Sequence, residues 1–120
     1  VIGERMAAGA GGSIINISSV AGANPAPTAE PYGAAKAGLN NLSRSFAFAL
    51  GPKVRVNSIM AGPFLTDISK AWKPEQRETA PNAVNRPGRP EEIVTTALYL
   101  ASPASSFVSG TIIRCDGALR

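Results

Sequence analysis

The sequence predicts an α/β fold built on a small parallel sheet. Three short β-branched runs alternate with helical stretches in the order helix, strand, helix, strand, helix, strand. Alternation of this kind implies right-handed crossovers and parallel strands. The twelve glycines and ten prolines fall in clusters between the apolar segments, where they punctuate elements. At 120 residues the chain fits one domain.

Taken in order, residues 1–8 are predicted helical, and Gly9-Ala10-Gly11-Gly12 stops the helix. Residues 13–18 form a short apolar run that reads as a strand buried on both faces. Residues 20–29, rich in Ala, Asn and Pro, are predicted to be a loop. Pro31 suits the first position of a helix. From there Tyr32, Ala35, Leu39, Leu42, Phe46 and Ala49 recur at steps of three and four, an amphipathic stripe ended by Gly51-Pro52. Residues 53–60 make the second strand, closed by a turn at Ala61-Gly62-Pro63. Residues 64–89 are the least regular, with one short helix expected around residues 67–73. Pro90 opens a further helix whose Ile93, Ala97, Leu98, Leu100 and Ala101 are expected to face inward, and Ser102-Pro103 stops it. Residues 105–110 connect to a last strand, residues 111–115, closed by Asp116-Gly117. No internal repeat is present.

Composition excludes several function classes. Hydrophobic residues are 44% and charged residues 17%, ordinary for a soluble globular domain and unlike a disordered chain. No apolar run approaches the roughly 18 residues that span a bilayer. The opening Val1-Ile2-Gly3-Glu4-Arg5-Met6 resembles neither a signal nor a transit peptide and reads as the middle of something. The formal charge is +4, but Lys and Arg are scattered along the chain, so neither a nucleic-acid nor a membrane partner is expected. The lone cysteine, Cys115, rules out an internal disulfide framework and suits a reducing compartment; it reads as a small buried residue of a strand. There is no histidine, which removes a Ser-His-Asp triad and most zinc and non-haem iron sites. No metal centre is expected, and proton chemistry falls to Tyr, Lys, Asp, Glu, Cys or Ser.

In an open parallel sheet, ligands bind beyond the carboxyl ends of the strands. Ser18 and Ser19 end the first strand and residues 61–66 follow the second, so both open onto one edge. Tyr32 and Lys36 are four apart and share one helical face. An ammonium near a phenol stabilises its phenolate, which suits the phenol to exchanging a proton with an alcohol or carbonyl near neutral pH. A serine hydroxyl at a strand end can hold an oxygen on which charge develops. By itself the Tyr-x-x-x-Lys spacing also describes a core tyrosine beside a solvated lysine, an arrangement found in many helices.

Several spaced blocks narrow this choice. Gly12-Ser13-Ile14-Ile15-Asn16-Ile17-Ser18-Ser19-Val20-Ala21-Gly22 is followed by Pro31-Tyr32-Gly33-Ala34-Ala35-Lys36-Ala37-Gly38. Val54-Arg55-Val56-Asn57-Ser58-Ile59, Gly88-Arg89-Pro90-Glu91-Glu92-Ile93, Ala97-Leu98-Tyr99-Leu100-Ala101-Ser102, Ser109-Gly110-Thr111 and Asp116-Gly117 come after in turn. In order and spacing these blocks resemble the C-terminal half of classical short-chain dehydrogenases/reductases, with only residues 68–85 unmatched.

The resemblance implies a Rossmann-like doubly wound parallel sheet, here its C-terminal three strands with flanking helices. Residues 1–120 would be the C-terminal part of a single NAD(P)-binding domain. It implies an oxidoreductase that transfers hydride between NAD or NADP and a small-molecule alcohol or carbonyl. Ser19 would polarise the substrate oxygen, with Ser18 the less favoured choice. Tyr32 would move the proton, and Lys36 would bind the nicotinamide ribose and tune the tyrosine. Gly62, Pro63, Phe64 and Thr66 would border the nicotinamide, Gly62 by allowing close backbone approach. Ala61 stands where the family usually has proline, which bears on the shape of that loop. The family's Gly-rich phosphate turn, its Asn-Asn-Ala-Gly motif and the residue that separates NAD from NADP have no counterpart here; Gly9-Ala10-Gly11-Gly12 follows a helix and precedes a strand, the order of an αβ turn. The N-terminal nucleotide-binding half is therefore expected to lie outside this sequence, and the alternative reading is an inactive fragment or non-catalytic remnant. The resemblance further implies a cytoplasmic homodimer or homotetramer, with Gly38, Asn41, Ser45 and Phe48 on the associating face. It places the substrate pocket largely within residues 64–85, where Trp72 and Pro81 have no assigned role.

Overall fold

The computed structural model describes residues 1–119. After a first helix, α1 (Ile2–Ala8), the chain turns at Gly11 and Gly12, both at positive φ. A side chain at Gly11 would collide with the Lys53 carbonyl, and the Gly12 N–H donates to that carbonyl at 3.1 Å. The glycine run is thus an αβ turn, as its order in the sequence implied.

Strand β1 (Gly12–Ser19) pairs in parallel with β2 (Val54–Ala61), from Gly12 opposite Val54 to Ser19 opposite Ala61. Strand β3 (Ile112–Cys115) pairs in parallel with the other side of β2, ending with Cys115 opposite Ala61. The register matters for function: Ser19, Ala61 and Cys115 finish level, so the three following segments emerge from one edge of the sheet.

Two longer helices cover the two faces. Because side chains alternate along a strand, Ser13 reaches the Leu100 carbonyl of α4 (Glu91–Ala101), whereas Asn16 reaches Ser43 of α2 (Glu30–Ala49). On β2 the same alternation sends Ser58 to Ser43 and Arg55 to the end of α4. A short helix, α3 (Pro74–Glu78), follows a 3₁₀ turn at Asp67–Ala71; the sequence reading anticipated the turn but not the helix.

The core is centred on β2. Val54, Val56 and Ile59 are buried with Leu100 of α4, and Asn57, Ser58, Ser43 and Ser105 are buried beside them. These polar groups are partnered, as burial requires. Ser43 accepts from Asn16 and Ser58 at 2.8 Å each and donates to the Leu39 carbonyl at 2.7 Å. Arg55 fans across the C-terminal end of α4, donating to the Leu100 and Ser102 carbonyls at 2.9 and 3.3 Å and to Ser105 at 2.9 Å. A cation there meets the partial negative charge of a helix C-terminus.

Three burial expectations are corrected. Within this chain strand β1 is not buried on both faces: Ser18 is its one buried residue and Ile17 is 52% exposed. The apolar stripe of α2 does not form its packing face. Gly33, Asn40 and Ser43 are the buried residues of that helix, while Tyr32, Leu42 and Phe46 are each about half exposed. Small residues let the helix backbone approach the sheet, and the Ser43 network takes the place of apolar packing. On α4, Leu100 is buried but Leu98 is 62% exposed and Ala101 is exposed, because the helix seats a narrower face than the sequence suggested.

Candidate active site

The first strand delivers two serines to the active edge and treats them differently. Ser18 is buried and donates to the Lys36 carbonyl at 3.3 Å. Ser19, half-buried at the mouth, accepts from the Ala21 N–H at 3.2 Å and caps the 3₁₀ turn Val20–Gly22. That turn opens the segment the sequence reading treated as plain loop.

The first turns of α2 are held against this turn by two glycines. A side chain at Gly33 would come within 2.9 Å of the Ala21 carbonyl, and one at Gly22 within 2.8 Å of the Lys36 backbone. Neither position tolerates a Cβ without moving backbone, so Ser19, Tyr32 and Lys36 are drawn into one neighbourhood. Pro31 lies in the first turn of α2, where its missing N–H costs no helical bond. Lys36 crosses to β1 and donates to the Ile17 carbonyl at 2.8 Å. Its ammonium sits 5.6 Å from the centre of the Tyr32 ring, within cation–π range.

The loop after β2 completes the other wall. The Gly62 N–H donates to the Cys115 carbonyl at 2.9 Å, and a side chain at Gly62 would meet the Asp116 Cβ at 2.7 Å. The close approach at this glycine is thus to the end of β3. Phe64 forms a parallel bridge with Gly88, with Leu65 donating to the Gly88 carbonyl and Gly88 to the Pro63 carbonyl, both at 2.9 Å. The ring of Phe64 lies on Gly88, where a Cβ would come within 2.6 Å of it. Arg86 anchors this bridge by a two-pronged pair with Glu92 at 2.7 and 2.8 Å. The Arg86 guanidinium, and then the Arg89 N–H, hold the Glu92 carboxyl down to about 2 from its ordinary 4.5.

Between these walls lies a cleft of about 690 Å³. Ser19, Tyr32, Lys36, Gly62, Pro63, Phe64 and Thr66, all seven residues singled out from the sequence, line it. Trp72 and Pro81, left without a role, line it too. Ile68, within the stretch expected to form the pocket, completes its apolar side together with Pro90, Ile93 and Leu119, which were missed; Pro90 and Leu119 lie on irregular segments, which carry no periodicity to mark their facing.

Cys115 is half-buried in β3 and its thiol lies 3.5 Å from the Thr96 hydroxyl. Among the described residues no cluster of three or more His, Cys, Asp or Glu could hold a metal ion. No described helix is long and apolar enough to cross a membrane.

A family model described as enoyl-(acyl carrier protein) reductase matches residues 2–119. The 7α-hydroxysteroid dehydrogenase of Escherichia coli (strain K12) is 37% identical over 121 residues, which is 98% of this chain and 48% of that protein. The solved structure of a 3-oxoacyl-[acyl-carrier protein] reductase from Brucella melitensis superposes with a TM-score of 0.88 at 32% identity, covering 97% of this chain and 45% of its own. A 7α-hydroxysteroid dehydrogenase complexed with NADH and 7-oxo glycochenodeoxycholic acid superposes at 0.85 with 38% identity, covering 97% and 47%. The chain spans about half the length of the curated relatives it matches.

Proposed function

The chain belongs to the short-chain dehydrogenase/reductase family, an oxidoreductase family, and on that premise we propose that it is the catalytic C-terminal part of an NAD- or NADP-dependent enzyme acting on a small-molecule alcohol or carbonyl. The observation that carries this reading is the convergence of Ser19, Tyr32 and Lys36 with residues 62–66 on one cleft at the carboxyl edge of the sheet. The NADH bound in the similar hydroxysteroid dehydrogenase supports the cofactor class.

The residues present fit such a cofactor. Lys36 spends one of its three protons on the Ile17 carbonyl, leaving donors for ribose hydroxyls. Among the described residues no acidic side chain lines the cleft to repel a dinucleotide. When bound, the nicotinamide supplies or accepts the hydride. Ser19 donates its hydroxyl proton to the substrate oxygen and holds it in place, its lone pair being already turned to the Ala21 N–H. Tyr32, half-exposed at the mouth, gives its proton to that oxygen in reduction and takes it back in oxidation. The Lys36 ammonium beside the ring offsets the charge left on the phenolate oxygen.

The same reading makes residues 1–120 part of one NAD(P)-binding domain of a cytoplasmic protein. It makes the protein a homodimer or homotetramer through the outer face of α2, where Gly38, Asn41, Ser45 and Phe48 are exposed, Phe48 to 94%. Sedimentation of the full-length protein as a monomer alone would remove that assembly.

To test the function, the full-length protein is mixed with reduced nicotinamide cofactor and a panel of ketones. Carbonyl-dependent loss of dihydronicotinamide absorbance, abolished by Ser19→Ala, is expected. No turnover with any ketone or alcohol favours the alternative of a non-catalytic remnant.

A further inference from the structure

The distribution of charge around the cleft restricts what can occupy it. Its polar side chains, Ser18, Ser19, Tyr32, Lys36 and Thr66, belong to the end of β1, the start of α2 and the loop after β2. The remaining wall is apolar: Ile68, Trp72, Pro81, Pro90, Ile93 and Leu119. Among the described residues no arginine, aspartate or glutamate lines it, and its single ammonium, Lys36, donates to the Ile17 carbonyl and lies against the Tyr32 ring.

Three cations near the cleft are paired within the protein, while Lys73 and Arg89, exposed beside Trp72 and Pro90, do not line it. Arg86 is paired with Glu92, Arg114 with Asp116 at 2.6 Å, and Lys70 with Asp67 at 2.7 Å. Arg86, Glu92 and Asp116 border a separate hollow of about 220 Å³. At the same time Ile68 is 69% exposed and Pro81 is exposed, so apolar surface on the cleft rim has no cover within the chain. Covering such surface is favourable, while seating an anion against it without a partner is costly.

We infer that the substrate body beyond the reacting carbon is uncharged and largely apolar, recognised by the wall around Trp72, with its oxygen directed to Ser19 and Tyr32. This specificity rests on the oxidoreductase reading for the orientation of the oxygen, but the preference for an uncharged body is a property of the wall alone. Anionic substrates such as sugar acids or phosphorylated ketones would find no partner for their charge there.

The test compares methyl para-acetylbenzoate with para-acetylbenzoate, which share a ring and a methyl ketone and differ by one charge. With the full-length protein and saturating reduced cofactor, kcat/KM should favour the ester by about tenfold or more. Trp72→Lys, which puts a cation on the wall, should narrow that ratio by raising turnover of the acid. Equal efficiency, or preference for the acid, overturns the inference. Calorimetric binding of both ketones separates the two levels. If the ester binds more tightly but neither ketone turns over, the uncharged-body inference stands and the oxidoreductase reading falls. If neither binds, or the acid binds as tightly, the inference falls whatever the activity. Should Trp72→Lys fail to fold, the wild-type ratio decides by itself.

Discussion

Replacing Asn57 with alanine should loosen the segment that leads into β3 from β2, at the end of β3 opposite the cleft. Asn57 is fully buried. Its amide donates to the Val108 carbonyl at 2.9 Å and its oxygen accepts from the Thr111 N–H at 3.1 Å. In the alanine variant the half-buried Thr111 N–H loses its partner, an orphaned donor that costs about 1–3 kcal/mol. The Val108 carbonyl suffers less, because Arg55 still donates to it at 3.3 Å. With a small cavity added, the total loss should be about 2–4 kcal/mol. Urea unfolding of wild type and variant measures it through the shift in midpoint at constant slope. Amide exchange localises it: Thr111 should lose protection more than residues of β1. Arg77→Ala, exposed on α3, is the control and should change stability by less than about 0.5 kcal/mol. An Asn57→Ala loss as small as the control's, or unchanged protection at Thr111, would refute the role assigned to this side chain.

Other perturbations probe the site more directly. Glu92 has a folded-state value near 2 against an ordinary 4.5, so its pairing with Arg86 stabilises the fold above about pH 4.5 and loses that effect as pH falls toward 2. Glu92→Gln should therefore be less stable than wild type at neutral pH, with the gap closing between pH 4.5 and 2 in acid unfolding curves; a gap independent of pH would contradict the pairing. Gly88→Ala places a Cβ 2.6 Å from the Phe64 ring and should displace it, costing about 1–3 kcal/mol of stability and weakening nicotinamide binding measured by fluorescence titration. The two serines should separate cleanly. Ser19→Ala should cut turnover by about 10²–10³, far more than its loss of the turn cap, about 1 kcal/mol of stability, accounts for. Ser18→Ala, which loses the bond to the Lys36 carbonyl, should cost about 1 kcal/mol and leave most activity.

Elements were legible in the sequence where one physical signal dominated. The β-branched runs of β1, β2 and β3 and the Gly-Pro punctuation placed all three strands to within a residue or two. Facing was less legible. On α2 the apolar stripe through Leu39, Leu42 and Phe46 suggested the packing face, but the sheet offers that helix Asn16 and Ser58, so the small polar face of Asn40 and Ser43 packs there. On β1 an isoleucine run reads as doubly buried whether or not a strand lies on its outer side. The short α3 hides in a proline-bounded segment too brief for periodicity. The candidate site residues Ser19, Tyr32, Lys36, Gly62, Pro63, Phe64 and Thr66 were singled out through the resemblance of several spaced blocks; their positions near element ends placed them at one edge of the sheet but left open a core tyrosine beside a solvated lysine. Of the apolar wall, Ile68, Trp72 and Pro81 fall in the stretch expected to form the pocket, whereas Pro90, Ile93 and Leu119 join it only through tertiary folding and were not legible.

The central claim is that Tyr32 moves the proton in a nicotinamide-dependent reaction within this cleft. Tyr32→Phe in the full-length protein tests it with two readings, turnover and cofactor affinity. The expected result is turnover reduced by about 10²-fold or more, with the dissociation constant for the nicotinamide cofactor changed by less than a few fold. Retained turnover would contradict the claim.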